Sequence, residues 1–105
     1  MMDIDTIELH DALLQSMDID YVAKTVKIRL EYYSNQEEKY RKLIFINFEE
    51  VSMISEISNL KQLQKNAFAG NVNYWVPKQD DGVTYIYLTD GCIAIHAHKI
   101  YIALQ

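Results

Sequence analysis

Residues 82–104 read GVTYIYLTDGCIAIHAHKIYIAL, two runs of β-branched, aromatic and aliphatic residues, Val83 to Thr89 and Cys92 to Ile102, on either side of Asp90-Gly91. Asp-Gly favours a two-residue hairpin turn, because a type I′ turn needs positive φ at both central positions and few residues tolerate that cheaply. With Asp90-Gly91 at the turn, Thr89 lies opposite Cys92, Tyr87 opposite Ala94, Tyr85 opposite His96 and Val83 opposite His98. Side chains alternate across a strand, so Ile86, Leu88, Ile93, Ile95 and Ala97 fall on one face, expected to be core. Tyr85, Tyr87, Cys92, Ala94, His96 and His98 fall on the other, a semi-polar face lightly covered or open to a partner. Beyond His98 the apolar residues Ile100, Ile102 and Leu104 take the His parity, which predicts a bulge near Ala97 to Lys99 that returns them to the core.

Upstream, Asp80-Asp81-Gly82 turns into this hairpin. Before it, Val72, Tyr74 and Val76 alternate with Asn73 and Trp75 in a strand that Pro77 ends or confines to a sheet edge. Thr25 to Tyr33 is the cleanest strand, with Val26, Ile28, Leu30 and Tyr32 on one face and Thr25, Lys27, Arg29 and Glu31 on the other. A polar loop tip, Ser34 to Lys39, separates it from Arg41 to Phe48, whose apolar residues on both faces suit a central strand. Leu13 to Asp20 reads as a strand with Leu13, Met17 and Ile19 sharing parity, and residues 1–7 as a short edge segment or loose terminus. Residues 49–58 fit two patterns: a helix through Val51, Ile54, Ile57, Leu60 and Leu63, or a strand bulged at Glu49-Glu50. Asn59 with Gln62 three residues on is a capping-box pattern, which predicts a short helix from Asn59 to Asn66. The sum is a mainly β chain with an α+β margin: an antiparallel sandwich or partial barrel of about six strands with one short helix.

At 105 residues the chain is read as one domain, 1–105, large enough to bury a core without staples. Its single cysteine, Cys92, excludes an intrachain disulfide framework, and the acidic opening carries no signal-peptide pattern, so a cytoplasmic location is expected. No apolar run approaches the length of a membrane helix. Net charge is −5, and Asp3, Asp5, Glu8, Asp11, Asp18 and Asp20 precede any Lys or Arg. That field repels phosphate backbones and anionic lipid, so neither nucleic acid nor membrane is an expected partner. The basic run Lys39-Tyr40-Arg41-Lys42 follows Glu37-Glu38 and reads as a mixed solvated turn.

His96 and His98, at i and i+2 on a strand, project from one face about 7 Å apart and could converge on a metal. A zinc site needs further ligands, for which His10, Asp11 and Cys92 are the candidates, and the plainer expectation packs both His beside Tyr85. His10-Asp11 is not expected to act as an acid–base pair, since adjacent residues on a strand point apart and on a helix do not stack. Cys92 has no basic neighbour in sequence and reads as a small packing residue. No phosphate-binding glycine loop, nucleophile elbow or Cys-x-x-Cys occurs. By contrast Tyr32, Tyr33, Tyr74, Trp75, Tyr85, Tyr87 and Tyr101 are many aromatics for so small a chain, and Tyr and Trp dominate binding hot spots.

Leu9-His10-Asp11-Ala12-Leu13-Leu14-Gln15-Ser16, Gly70-Asn71-Val72, and Tyr85-Ile86-Tyr87-Leu88 before Asp90-Gly91 together resemble a family of small uncharacterised bacterial β-rich proteins with a Leu-His-Asp-type opening. Some similar chains are immunity proteins of polymorphic-toxin systems. The resemblance implies a binding protein rather than an enzyme. The expectation is therefore a non-enzymatic protein-interaction domain without a cofactor, binding a basic protein partner through Tyr85, Tyr87 and Trp75, with Asp18 and Asp20 steering the encounter. The alternative is a metal- or small-ligand-binding domain using His96 and His98. A third option is a homo-oligomer paired at the edge strand near Trp75.

Overall fold

The computed structural model describes residues 4–33, 41–68 and 70–104. A 3₁₀ turn at Ile4–Thr6 precedes strands Leu13–Asp20 (β1), Thr25–Tyr33 (β2) and Arg41–Ile57 (β3), the helix Leu60–Lys65 (α1), and strands Val72–Val76 (β4), Gly82–Leu88 (β5) and Gly91–Leu104 (β6). The strands form one antiparallel sheet in the order β1-β2-β3-β6-β5-β4. The chain is thus mainly β, as its alternation predicts. It is a single open sheet whose two outer strands meet at one corner: Asp11 N–H donates to the Val72 carbonyl, and Asn71 and Val72 N–H both donate to that of Ala12. The loop tip 34–39 and the first half of the run Lys39 to Lys42 lie outside the described residues.

Where alternation is unbroken, the sequence reads through to packing. Val26, Ile28, Leu30 and Tyr32 of β2, Ile44, Ile46 and Phe48 of β3, and Ile86, Leu88, Ile93, Ile95 and Ala97 of the last hairpin are all buried in one cluster. The opening segment closes over that cluster rather than lying loose, because Ile4, Ile7, Leu9 and Ala12 are buried in it. Helix α1 contributes Leu63; its cap is Asn59, whose side-chain oxygen accepts the Gln62 N–H at 3.2 Å.

The hairpin register differs from the expectation by one residue on each strand. Leu88 pairs with Gly91, Tyr87 with Cys92, Tyr85 with Ala94 and Val83 with His96, so Thr89 and Asp90 are the central turn residues, Asp90 with φ 56°. Gly91 enters the ladder where there is no room for a side chain, since a Cβ there would lie 2.4 Å from the Ile57 carbonyl oxygen of β3. Opposing numbers change by two, so every residue keeps its face.

Irregularities in three strands redirect side chains that strict alternation misplaces. A register shift between Leu14 and Ser16 puts Leu14, rather than Leu13, against the core with Met17 and Ile19. A second, between Val72 and Tyr74, buries Trp75 with Val72 and exposes Tyr74 and Val76. In β3, Glu50 adopts φ 53° and the register shifts between Val51 and Met53. Core-facing positions there become Phe48, Val51 and Ile54, and this spacing of three imitates a helix within a strand that runs unbroken to Ile57. Opposite, β6 changes face as expected between Ala97 and Ile102, both buried, but it does so in step with β3, because Phe48 pairs with Ile100 and Val51 with Ala97. Leu104, expected inside, is exposed.

Candidate protein-binding face

The outer face of β3, β6, β5 and β4 can be assembled from pairing alone, since residues directly opposite in antiparallel strands share a face. One row runs Ile57, Cys92, Tyr87, Tyr74; the next Ser55, Ala94, Tyr85, Val76; the third Met53, His96, Val83. Large apolar and aromatic side chains on this grid are open to solvent: Met53 is 68% exposed, Ile57 69%, Tyr74 53%, Val76 48% and Tyr85 39%. The Tyr74 and Tyr87 rings stack at 4.6 Å and 25°, and Tyr85 lies nearly parallel to Tyr87 at 6.0 Å. Mutual stacking holds the rings in one orientation, which limits the side-chain ordering that a partner would have to impose. Crowding by its neighbours raises the Tyr87 hydroxyl above the usual tyrosine range, with Tyr74, Cys92 and Tyr85 adding to the effect. Acids flank the patch in the turns at its two ends, Asp80 and Asp81 before β5 and Asp90 after it.

Of the residues expected to bind a partner, Tyr85 and Tyr87 stand together on this face. Trp75 does not join them: it pairs with Ile86 on the core side, is 8% exposed, and donates its indole N–H to the Ile7 carbonyl at 2.9 Å. Asp18 and Asp20 are exposed on β1, four strands away from β5 in the sheet order. Asp20 holds the β1–β2 turn, its carboxylate accepting the N–H groups of Val22 and Ala23 at 3.0 and 2.9 Å. Met53, Ile57 and Val76 have no counterpart among the expected binding residues, and Tyr74 stands among the aromatics of the sequence without being assigned to this face. The bulges in β3 and β4 hide them, and only the sum of those irregularities with the β3–β6 register reveals the patch.

His96, in the third row, lies 3.3 Å from the Asp81 carboxylate, while His98 is exposed where the strand changes face. Among the described residues no group of three or more His, Cys, Asp or Glu side chains is arranged to hold a metal ion. His10 and Asp11 are closer than adjacency suggested, Nε2 to Oδ2 3.4 Å, because Asp11 adopts φ 63° and swings its carboxylate back. The His10 Nδ1–H donates to the Asn73 carbonyl at 2.9 Å; that bond, with Asp11 and then Glu8 adding, raises the imidazole pKa above 6.5 against a small opposing effect of burial. The pair thus helps fasten the opening segment to β4. Cys92 is a half-buried free thiol in the patch. No helix among the described residues is long and apolar enough to cross a membrane. Compared with protein-family models, with curated proteins and with solved structures, the chain matches none.

Proposed function

We propose that this chain is a non-enzymatic protein-interaction domain that binds a basic protein partner through the outer face of β3, β6, β5 and β4. The observation that carries the reading is the stacked, solvent-facing cluster of Tyr74, Tyr87 and Tyr85, with Met53 and Ile57 exposed on the same face. Contiguous exposed apolar area of this kind marks interaction surfaces, and tyrosine is prominent among the residues that dominate binding energy. Net charge of −5 and acids at both ends of the patch favour a cationic partner and raise its encounter rate. The action would be steric: the domain covers a functional surface of the partner, as immunity proteins do, in keeping with the bacterial family that the sequence resembles and with a cytoplasmic setting.

The test is site-specific photo-crosslinking in cells of the source organism, with the reactive group placed at Tyr85 or, as comparison, at Arg29 on the distant β2 part of the same sheet side. The reading predicts one basic protein attached from position 85 and absent from position 29. Equal labelling from both positions, or an acidic or nucleic-acid adduct, would remove it.

A further inference from the structure

The sheet has a window between β1 and the second half of β3. Pairing of β2 with β3 stops at Val26 opposite Phe48, and beyond it β3 is paired only with β6 among the described residues. Among the described residues β1 is the end of the sheet and pairs as a strand only with β2, while the Leu14 N–H is already taken by the Asn71 side chain. Two strands therefore turn unpaired edges to a common trough. One part, a cleft of about 420 Å³, lies between Ile19 to Thr25 and Val51 to Glu56; the other, about 310 Å³, lies between Leu13 to Met17 and Glu56 to Ala67. Both ends are closed by backbone hydrogen bonds, Val51 N–H to the Lys24 carbonyl at one and Asn71 and Val72 N–H to that of Ala12 at the other.

The window is lined by the half-buried margin of the core. Apart from Ile100, the partly buried apolar side chains packed against the central cluster are Leu14, Met17, Ile19, Val51 and Ile54, and all five line this trough. The seam thus combines two features: strand edges whose outward N–H and C=O groups lack a strand partner, and half-buried apolar side chains contributed by both strands. An extended backbone with alternating apolar residues satisfies both at once, whereas a helix carries no free backbone groups. Charge selects further. Among the described residues that line the first cleft the charged ones are Asp20, Glu56 and Lys24, and Asp18 is exposed two residues before Asp20 on β1.

We infer that the window between β1 and β3 takes an extended, basic segment of a protein partner as an added strand. This rests on the reading of the chain as an interaction domain but uses a different surface from the tyrosine face. A segment of about five residues spans the available edge at ~3.3 Å per residue.

The experiment is hydrogen exchange by NMR on the isotope-labelled chain with a capped peptide of about ten residues that alternates Lys and Val, a length chosen to overhang the added strand. Amides of Ser52 to Ile57 that face away from β6 are expected to slow by about tenfold or more as pairing protects them. The same peptide with Pro at alternate positions, or with Glu for Lys, is expected to leave them unchanged. Glu56→Lys weakens the effect, and Tyr85→Ala does not. No slowing with the Lys-Val peptide, equal slowing with the Pro peptide, or loss of the effect in Tyr85→Ala would overturn the inference. So would edge amides already protected in the free chain at concentrations where light scattering shows a dimer, since a second copy would then fill the window. A chain that fails to crosslink from position 85 yet protects these amides would lose the tyrosine face and keep this site.

Discussion

The side-chain oxygen of Asn71 accepts the backbone N–H of Leu14 at 2.7 Å, across the joint where the first and last strands of the sheet meet. Asn71 is buried, its own N–H donates to the Ala12 carbonyl, and its carbonyl accepts from Thr89 in the last hairpin turn. One residue thus ties β1, β4 and the β5–β6 turn. Asn71→Ala leaves the Leu14 amide without its partner and is expected to cost about 1–3 kcal/mol. Asn71→Asp, which keeps an acceptor, should recover part of that loss; equal urea midpoints for Asn71→Ala and the parent chain would count against the joint.

Beside it, Gly70 adopts φ 105°, and a Cβ there would lie 2.2 Å from the Asp11 carbonyl oxygen. Both conformation and space exclude a side chain, so Gly70→Ala is expected to destabilise by more than ~1 kcal/mol. Thermal unfolding measures it. A midpoint within a degree or two of the parent would mean that the opening segment does not pack against residue 70 in solution.

Trp75→Phe keeps most of the buried ring but removes the N–H that serves the Ile7 carbonyl. The expected loss is about 1–2 kcal/mol. Hydrogen exchange in residues 4–12 should accelerate more than in β6, because the missing bond anchors the segment rather than the sheet. Uniform acceleration would place the effect in the core at large.

His10 supplies a pH dependence whose sign is fixed. Its folded pKa is raised above 6.5, first by donation to the Asn73 carbonyl and then by Asp11. Its contribution to stability is fully present below about 6.5 and is lost as pH rises through the raised folded value. The effect is small, since the imidazole is 65% exposed and solvent screens the pair. Between pH 6 and 8, the urea midpoint of the parent chain should fall relative to that of His10→Gln; parallel pH profiles would remove the linkage.

Much of the fold is legible where one face of a strand is buried without interruption. Val26 to Tyr32 and Ile86 to Ala97 are read correctly because period-two alternation and burial are there the same fact. The hairpin face even survives the misplaced turn, since the shift preserves parity. One break of alternation is offered by the sequence, the strand bulged at Glu49-Glu50, and there Glu50 takes positive φ and the register shifts after Val51. The shifts beyond Leu14 and Val72 and the positive φ of Asp11 are not, since they lie where Ala12 meets Val72, a contact between distant parts of the chain. Those features bury Trp75, expose Tyr74, and bring Met53 and Ile57 out beside Tyr87. Tyr85 and Tyr87 are therefore assigned to the face from the chain alone, and Met53, Ile57, Tyr74 and Val76 join them only once the register is known.

The central claim is tested most directly by the affinity of the crosslinked partner for two single variants, Tyr85→Ala and Arg29→Ala, measured at one salt concentration. The account predicts a weakening of about thirtyfold or more for Tyr85→Ala, the loss expected at a hot spot, and less than about twofold for Arg29→Ala. Equal affinities for the two variants would contradict a binding face built on the stacked tyrosines.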